Sequence, residues 1–215
     1  MKNISKGVIL KTEELVPIRE NQTISKKLVD LDNLHTLLMS LGQNTSISPE
    51  IYGQERIYLV LKGEINFNNE KLINNELIVY EKNKLFGIKA YKESIFLEIA
   101  INLKEEEMKN IDKGQKIKLV DYLDYVDGAI ANIDFVSKDD FRVVMMAFDA
   151  GEGLKAHKAP GDALVFALEG KAKLLVGDKD VEIEAGEQLV FPANVIHNVT
   201  AITRFKMLLI LSLDK

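Results

Sequence analysis

Apolar residues in this chain come in short runs broken at close intervals. "FRVVMMAF" (141–148), "ALVFAL" (163–168), "AKLLVG" (172–177), "VEIEAG" (181–186) and "KMLLIL" (206–211) are rich in Val, Ile, Leu and Phe, and Gly, Asp or Asn lies between them. Runs of that length with β-branched and aromatic residues predict strands rather than helices. In "VGDKDV" the pair Gly177-Asp178 supplies hairpin turn chemistry. Helix is predicted in two places only. One is 102–114, where Leu103, Met108 and Ile111 surround three consecutive glutamates, and the other is "KLVDYLDYV" (118–126). So many short strands per hundred residues predict an all-β sandwich or barrel.

The apolar pattern is written twice. Under a shift of 107, Lys6-Gly7 falls on Lys113-Gly114, Lys11 on Lys118, Asp32 on Asp139, Met39 on Met146, and "IYLVLKG" (57–63) on "LVFALEG" (164–170). After a four-residue difference in the next hairpin, "NELIVYEKNKLFGIKA" (75–90) lies over "GEQLVFPANVIHNVTA" (186–201), and "SIFLEIA" (94–100) over "FKMLLIL" (205–211). One register holding through most of each half points to an internal duplication. The expected domains are 1–105 and 106–215, joined by the short amphipathic segment with its solvated glutamate face.

Composition narrows the function classes. Of 215 residues, 47% are apolar and 28% charged, and the net charge of −5 offers no electrostatic footprint for nucleic acid or an anionic membrane. Arginine occurs only at Arg19, Arg56, Arg142 and Arg204, and no helix-turn-helix pattern is visible. Cysteine is absent, which removes disulfides, thiolate metal sites and cysteine nucleophiles. The opening stretch "MKNISKGVILKTEELV" lacks the apolar core and cleavage pattern of a signal peptide. The longest apolar run, "FKMLLILSL", is about half a membrane span. A cytoplasmic protein that acts on neither nucleic acid nor membrane is expected.

One cluster of residues resembles a known superfamily. Gly151, His157 and Gly170 are similar to the first cupin motif, and Gly186 followed by "FPANVIH", with Pro192, Asn194 and His197, is similar to the second. The resemblance implies two tandem cupin jelly-roll β-barrels joined by a short helical linker, a bicupin. It covers the C-terminal half directly and the N-terminal half through the repeat. It also implies a metal site, and there the sequence departs from the pattern. The place of the first motif's second histidine is taken by Ala159, and that of its glutamate by Ala163. Only His157 and His197 remain of four ligands. Catalytic zinc typically has three protein ligands, and non-haem iron two histidines with a carboxylate. Asp162 is the candidate third ligand, but it sits one residue before the motif position, and neighbouring strand residues face opposite ways.

Both histidines are expected to face the barrel interior, as ligand-binding residues or as general acid and base. Lys155, two residues before His157, would share its face and meet an anionic substrate, or stand in water at the mouth. His35 aligns with Arg142 and reads as a surface residue. In the N-terminal half Glu50, Tyr52, Arg56, Glu81 and Phe86 stand at the places of His157, Ala159, Ala163, Pro192 and His197. That half therefore reads as a filled, structural barrel, with Glu50 and Arg56 either paired inside or both at the rim.

Three functions remain open from sequence. The first is a small-molecule-binding bicupin with one pocket in the C-terminal barrel, lined by His157, His197 and apolar side chains. The second is a metal-dependent dioxygenase or isomerase on a small polar metabolite, with one Fe, Mn, Ni or Zn ion held by His157, His197 and Asp162. The third is a non-catalytic regulatory or assembly protein with vestigial pockets, and a homo-oligomer is compatible with all three.

Overall fold

In the computed structural model, which describes residues 1–32, 34–68 and 70–213, the chain is nearly all antiparallel strand. It divides into two compact units, neither of them contiguous. Unit 1 comprises residues 1–3, 12–105 and 111–118, and unit 2 residues 4–11, 106–110 and 119–215. Where a single cut after residue 105 was expected, short segments are exchanged in both directions.

Unit 2 has a six-stranded sheet in the order Leu10–Lys11, Glu187–Phe191, Asp162–Glu169, Phe205–Ser212, Phe141–Phe148, Ile130–Ser137. A three-stranded sheet, Lys179–Glu184, Lys171–Val176, His197–Ala201, faces it. The core lies between the sheets. Ala163, Val165 and Ala167 enter it from one side and Leu174, Val176 and Val199 from the other. Unit 1 repeats the six-strand order with Lys116–Lys118, Glu76–Tyr80, Glu55–Lys62, Ser94–Ile101, Leu34–Leu41 and Thr23–Leu31. The registers also correspond. Arg56 opposes Tyr80 and Ala100, and at the matching positions Ala163 opposes Phe191 and Leu211. Unit 1's second sheet has four strands, Ser46–Ile51, Leu85–Lys89, Glu64–Phe67 and Glu70–Ile73. In unit 2 the match to Ser46–Ile51 is reduced to bridges at Gly153 and His157.

Side-chain alternation sorts the large residues that the sequence left unassigned. Phe148, Phe191 and Met207 belong to the barrel core, and Met146 packs on it. Met145 and Phe166, at the opposite parity, are buried outside that cluster.

The linker is less helical than its pattern predicts. Only a 3-10 turn forms, at Glu105–Glu107. Met108 then bridges Val136, and the Lys109 N–H donates to the Phe135 carbonyl at 3.0 Å. A stretch this short does not sustain a helix on its own, and an open strand edge offers its backbone better partners. The helix expected over 118–126 shortens to Leu119–Tyr122. Thr12–Leu15, its equivalent under the shift, forms a matching turn that the sequence did not flag. Among the described residues no helix is long and apolar enough to cross a membrane.

The exchanged segments end on buried carboxylates. In unit 2 the Gly7 N–H donates to the Val190 carbonyl at 2.8 Å, and Lys6 Nζ lies 2.6 Å from Asp162, which is 4% exposed. In unit 1 the equivalent Lys113 lies 3.2 Å from the fully buried Glu55. Burial alone would raise the pKa of Asp162, but positive and N–H groups, Lys6 first among them and the Ala193 N–H included, outweigh it, and the net shift is downward. Glu55 is lowered in the same way against its burial, by backbone N–H groups and Lys113.

Two predictions follow from this packing. Lys6→Met removes a cation held 2.6 Å from a buried carboxylate and should cost about 1–3 kcal/mol at pH 7 by denaturant unfolding. A carboxylate with a lowered folded pKa stabilises the fold above its unfolded pKa and loses that contribution as pH falls through the folded value. The gap between wild type and Lys6→Met should therefore close in acid. The second concerns glycines with left-handed backbone. Gly170 has φ 76°, and a Cβ there would sit 1.9 Å from the Arg204 carbonyl oxygen, whereas Gly151, with φ 85°, has open space. Gly151→Ala should cost about 1–2 kcal/mol, the left-handed penalty alone, and Gly170→Ala distinctly more.

Candidate functional site

The motif histidines meet at one end of the C-terminal barrel. "FPANVIH" folds as a tight turn in which Asn194 takes φ 62° and the Val195 N–H reaches back to the Pro192 carbonyl at 3.3 Å. Asparagine tolerates that left-handed backbone better than most residues. The turn is held from outside by Asn194 N–H donating to the Ala159 carbonyl at 2.7 Å and Ala193 N–H donating to Asp162 Oδ1 at 2.9 Å. It delivers His197 as the first residue of strand His197–Ala201.

His197 and His157 form a reciprocal backbone pair, with N–H to carbonyl distances of 3.0 and 2.8 Å. Directly opposed residues project to the same face, and the ring centroids are 4.5 Å apart at 56°. His197 also stacks on Phe191, with centroids at 4.4 Å and planes at 17°. The two rings differ in exposure. His197 is 5% exposed, whereas His157, expected inside, is exposed at the rim. Each Nδ1 lies 2.9 Å from the carbonyl of the residue two before it, Lys155 for His157 and Val195 for His197. Burial lowers the His197 pKa; the bond to Val195 opposes that shift, and the charge of a protonated His157 adds to it. A neutral Nε2 of this kind can accept a proton or a hydrogen bond.

Asp162 does not join them. It sits at the parity opposite to Ala163 and Val165, which line the core, and its two oxygens are engaged by Lys6 and Ala193. The expectation that Asp162 completes a metal site with His157 and His197 is corrected accordingly. Among the described residues no group of three or more His, Asp or Glu side chains is placed to hold a metal ion. Two imidazoles fall one protein ligand short of a typical catalytic site, so the donor set does not fit a resident divalent metal. Lys155 is exposed, and its carbonyl is occupied by His157. His35 lies on strand Leu34–Leu41 of unit 1 and binds Asp30 at 2.8 Å.

The same end of the N-terminal barrel is filled. Phe86, at the place of His197, is 2% exposed and contacts Tyr52, Tyr58 and Tyr80 at centroid distances of 5.3, 5.7 and 4.7 Å. Arg56 stacks over Tyr52 at 4.0 Å, but its ion-pair partner is Glu98, at 2.5 Å, rather than Glu50. Glu50 lies exposed on the outer strand. Tyr58 donates to the other Glu98 oxygen at 2.8 Å, and burial pushes its phenol pKa well up. The sequence reading missed Glu98, although a single glutamate inside the apolar run "SIFLEIA" was a usable signal, since a buried charge needs a partner.

The comparisons agree with this architecture. Residues 144–211 match the cupin domain family. The fold is similar to that of a cupin 2 conserved barrel domain protein from Leptotrichia buccalis, with 29% identity, 98% of each chain covered and a TM-score of 0.85. It is also similar to a putative glyoxylate induced protein from Pseudomonas aeruginosa (15% identity, 96% of this chain and 89% of that one, TM-score 0.66). A salicylate 1,2-dioxygenase from Pseudaminobacter salicylatoxidans shares the fold at 11% identity, over 87% of this chain and 76% of that one, with a TM-score of 0.64. No curated protein matches the chain in sequence. Residues 144–211 thus carry the cupin domain match, and the strand order found in both units gives the chain the fold of the cupin-barrel proteins it resembles.

Proposed function

We propose that this chain is a small-molecule-binding cupin with one working pocket, in the C-terminal barrel, lined by His157, His197 and apolar side chains. The observation that carries this reading is the contrast in side-chain size at matched positions. Where the N-terminal barrel has Tyr52, Arg56, Tyr58, Phe86 and Glu98 locked together, the C-terminal barrel has Ala159, Ala163, Val165, His197 and Leu209. Such an end, apolar and with two polar groups at its edge, is the usual composition of a ligand site. The barrels would then have divided their labour after duplication, one keeping the site and the other filling its interior.

The metal-dependent dioxygenase or isomerase would need a third ligand, and Asp162, engaged by Lys6 and the Ala193 N–H, is not placed to supply it. Likeness to a dioxygenase at 11% identity reports the fold and not the chemistry.

Ala163→Leu tests the pocket. Entering open space, the added carbons should change unfolding free energy by less than about 1 kcal/mol, whereas a solid core would lose about 1–3 kcal/mol. A metabolite panel read by thermal shift should yield a binder, since a ligand at a hundred times its Kd adds about 2.7 kcal/mol of stability. That gain should disappear in Ala163→Leu and His157→Ala. A destabilised Ala163→Leu together with no binder would sink the reading. Elemental analysis of tag-free protein, challenged with iron, manganese, nickel and zinc, should find no near-stoichiometric metal. Stoichiometric metal lost in His157→Ala would instead restore the enzyme reading.

A further inference from the structure

The backbone fixes which face of each imidazole is offered to a ligand. A carbonyl oxygen only accepts, so the contacts of Nδ1 with Lys155 and Val195 require a hydrogen on both Nδ1 atoms. In the neutral ring the lone pair then belongs to Nε2. Neither Nε2 takes a hydrogen bond from any described residue, and that of His197 is not sealed from solvent. The two rings are carried on one backbone pair with centroids 4.5 Å apart, so the acceptors belong to neighbouring side chains at one barrel end.

A carboxylate would bring lone pairs against lone pairs. Lys155 and Lys158 are exposed, and in water their attraction for an anion is weak. Asp162 is already neutralised by Lys6. Phe191 stacks on His197, and it belongs with Ala163 and Val165 to the apolar cluster of the same barrel.

We propose that this pair recognises its ligand by a hydrogen-bond-donating head group, hydroxyl or ammonium, on an apolar body, without a metal ion, and discriminates against carboxylates. The proposal rests on the C-terminal pocket reading and adds to it the chemistry of the ligand.

The test uses the full-length, nitrogen-15-labelled protein and long-range imidazole correlation spectra. In free protein at pH 7.5 both His157 and His197 should show the tautomer protonated at Nδ1, and the opposite tautomer at either would overturn the proposal. Benzylamine, benzyl alcohol and benzoate are then titrated separately, with His35 as an internal control. The first two should shift both Nε2 resonances saturably, and benzoate should bind at least tenfold more weakly. Benzoate binding as well as the others, with shifts at Val165 and Phe191, would overturn the donor rule and leave the pocket standing. If no probe moves any of these residues, the pocket reading fails and takes this inference with it. Zinc alone saturating both Nε2 atoms at micromolar concentration would show a metal pair instead, and would likewise overturn it.

Discussion

A carboxylate buried in a β-barrel must be neutralised where it stands, and in this protein that requirement organises the fold around the site. Removing a charge from water costs several kcal/mol unless hydrogen bonds and a counter-charge replace the solvent. Asp162 meets the requirement with Lys6 and Ala193, Glu55 with Lys113 and a nearby backbone N–H. Each lysine arrives on a segment from the other half of the sequence, so each carboxylate fixes the placing of an exchanged strand. On the C-terminal side the effect goes further. The turn that Asp162 holds through Ala193 is the one that sets His197 opposite His157.

Matched backbones have been given opposite interiors. In the N-terminal barrel six aromatic rings and the Arg56–Glu98 pair take up the space, with Tyr58 hydrogen-bonded into the ion pair. A buried pair of this kind contributes little net stability, because desolvation offsets the attraction, but it does fix the positions of the residues around it. In the C-terminal barrel small side chains stand at the matching positions, and two imidazoles take the places of Glu50 and Phe86. The difference lies in a few residues at one end of two barrels whose six-stranded sheets have the same order.

Much of this was legible in the sequence. The strands, the repeat and its offset follow from alternation and turn residues, which are local properties. The motif spacing put His157 and His197 together, and the replacement of His197 by Phe86 foretold a filled barrel. The linker read as too helical, because an amphipathic pattern cannot show that a strand edge is waiting for the same backbone. Glu50 was offered to Arg56, and the partner proved to be Glu98. Its strand is distant in sequence but adjacent in the sheet.

The sequence by itself determined an all-β protein of two similar halves with a depleted histidine motif, because strand period and turn chemistry are written within a few residues. Only the tertiary structure decided that the first strands change places, that Asp162 belongs to Lys6, that one histidine is buried and the other exposed, and that both present Nε2. Those outcomes depend on contacts between residues far apart in the chain. Alternation tells which side chains share a face, whereas what lies across from that face is settled only when the sheets pack.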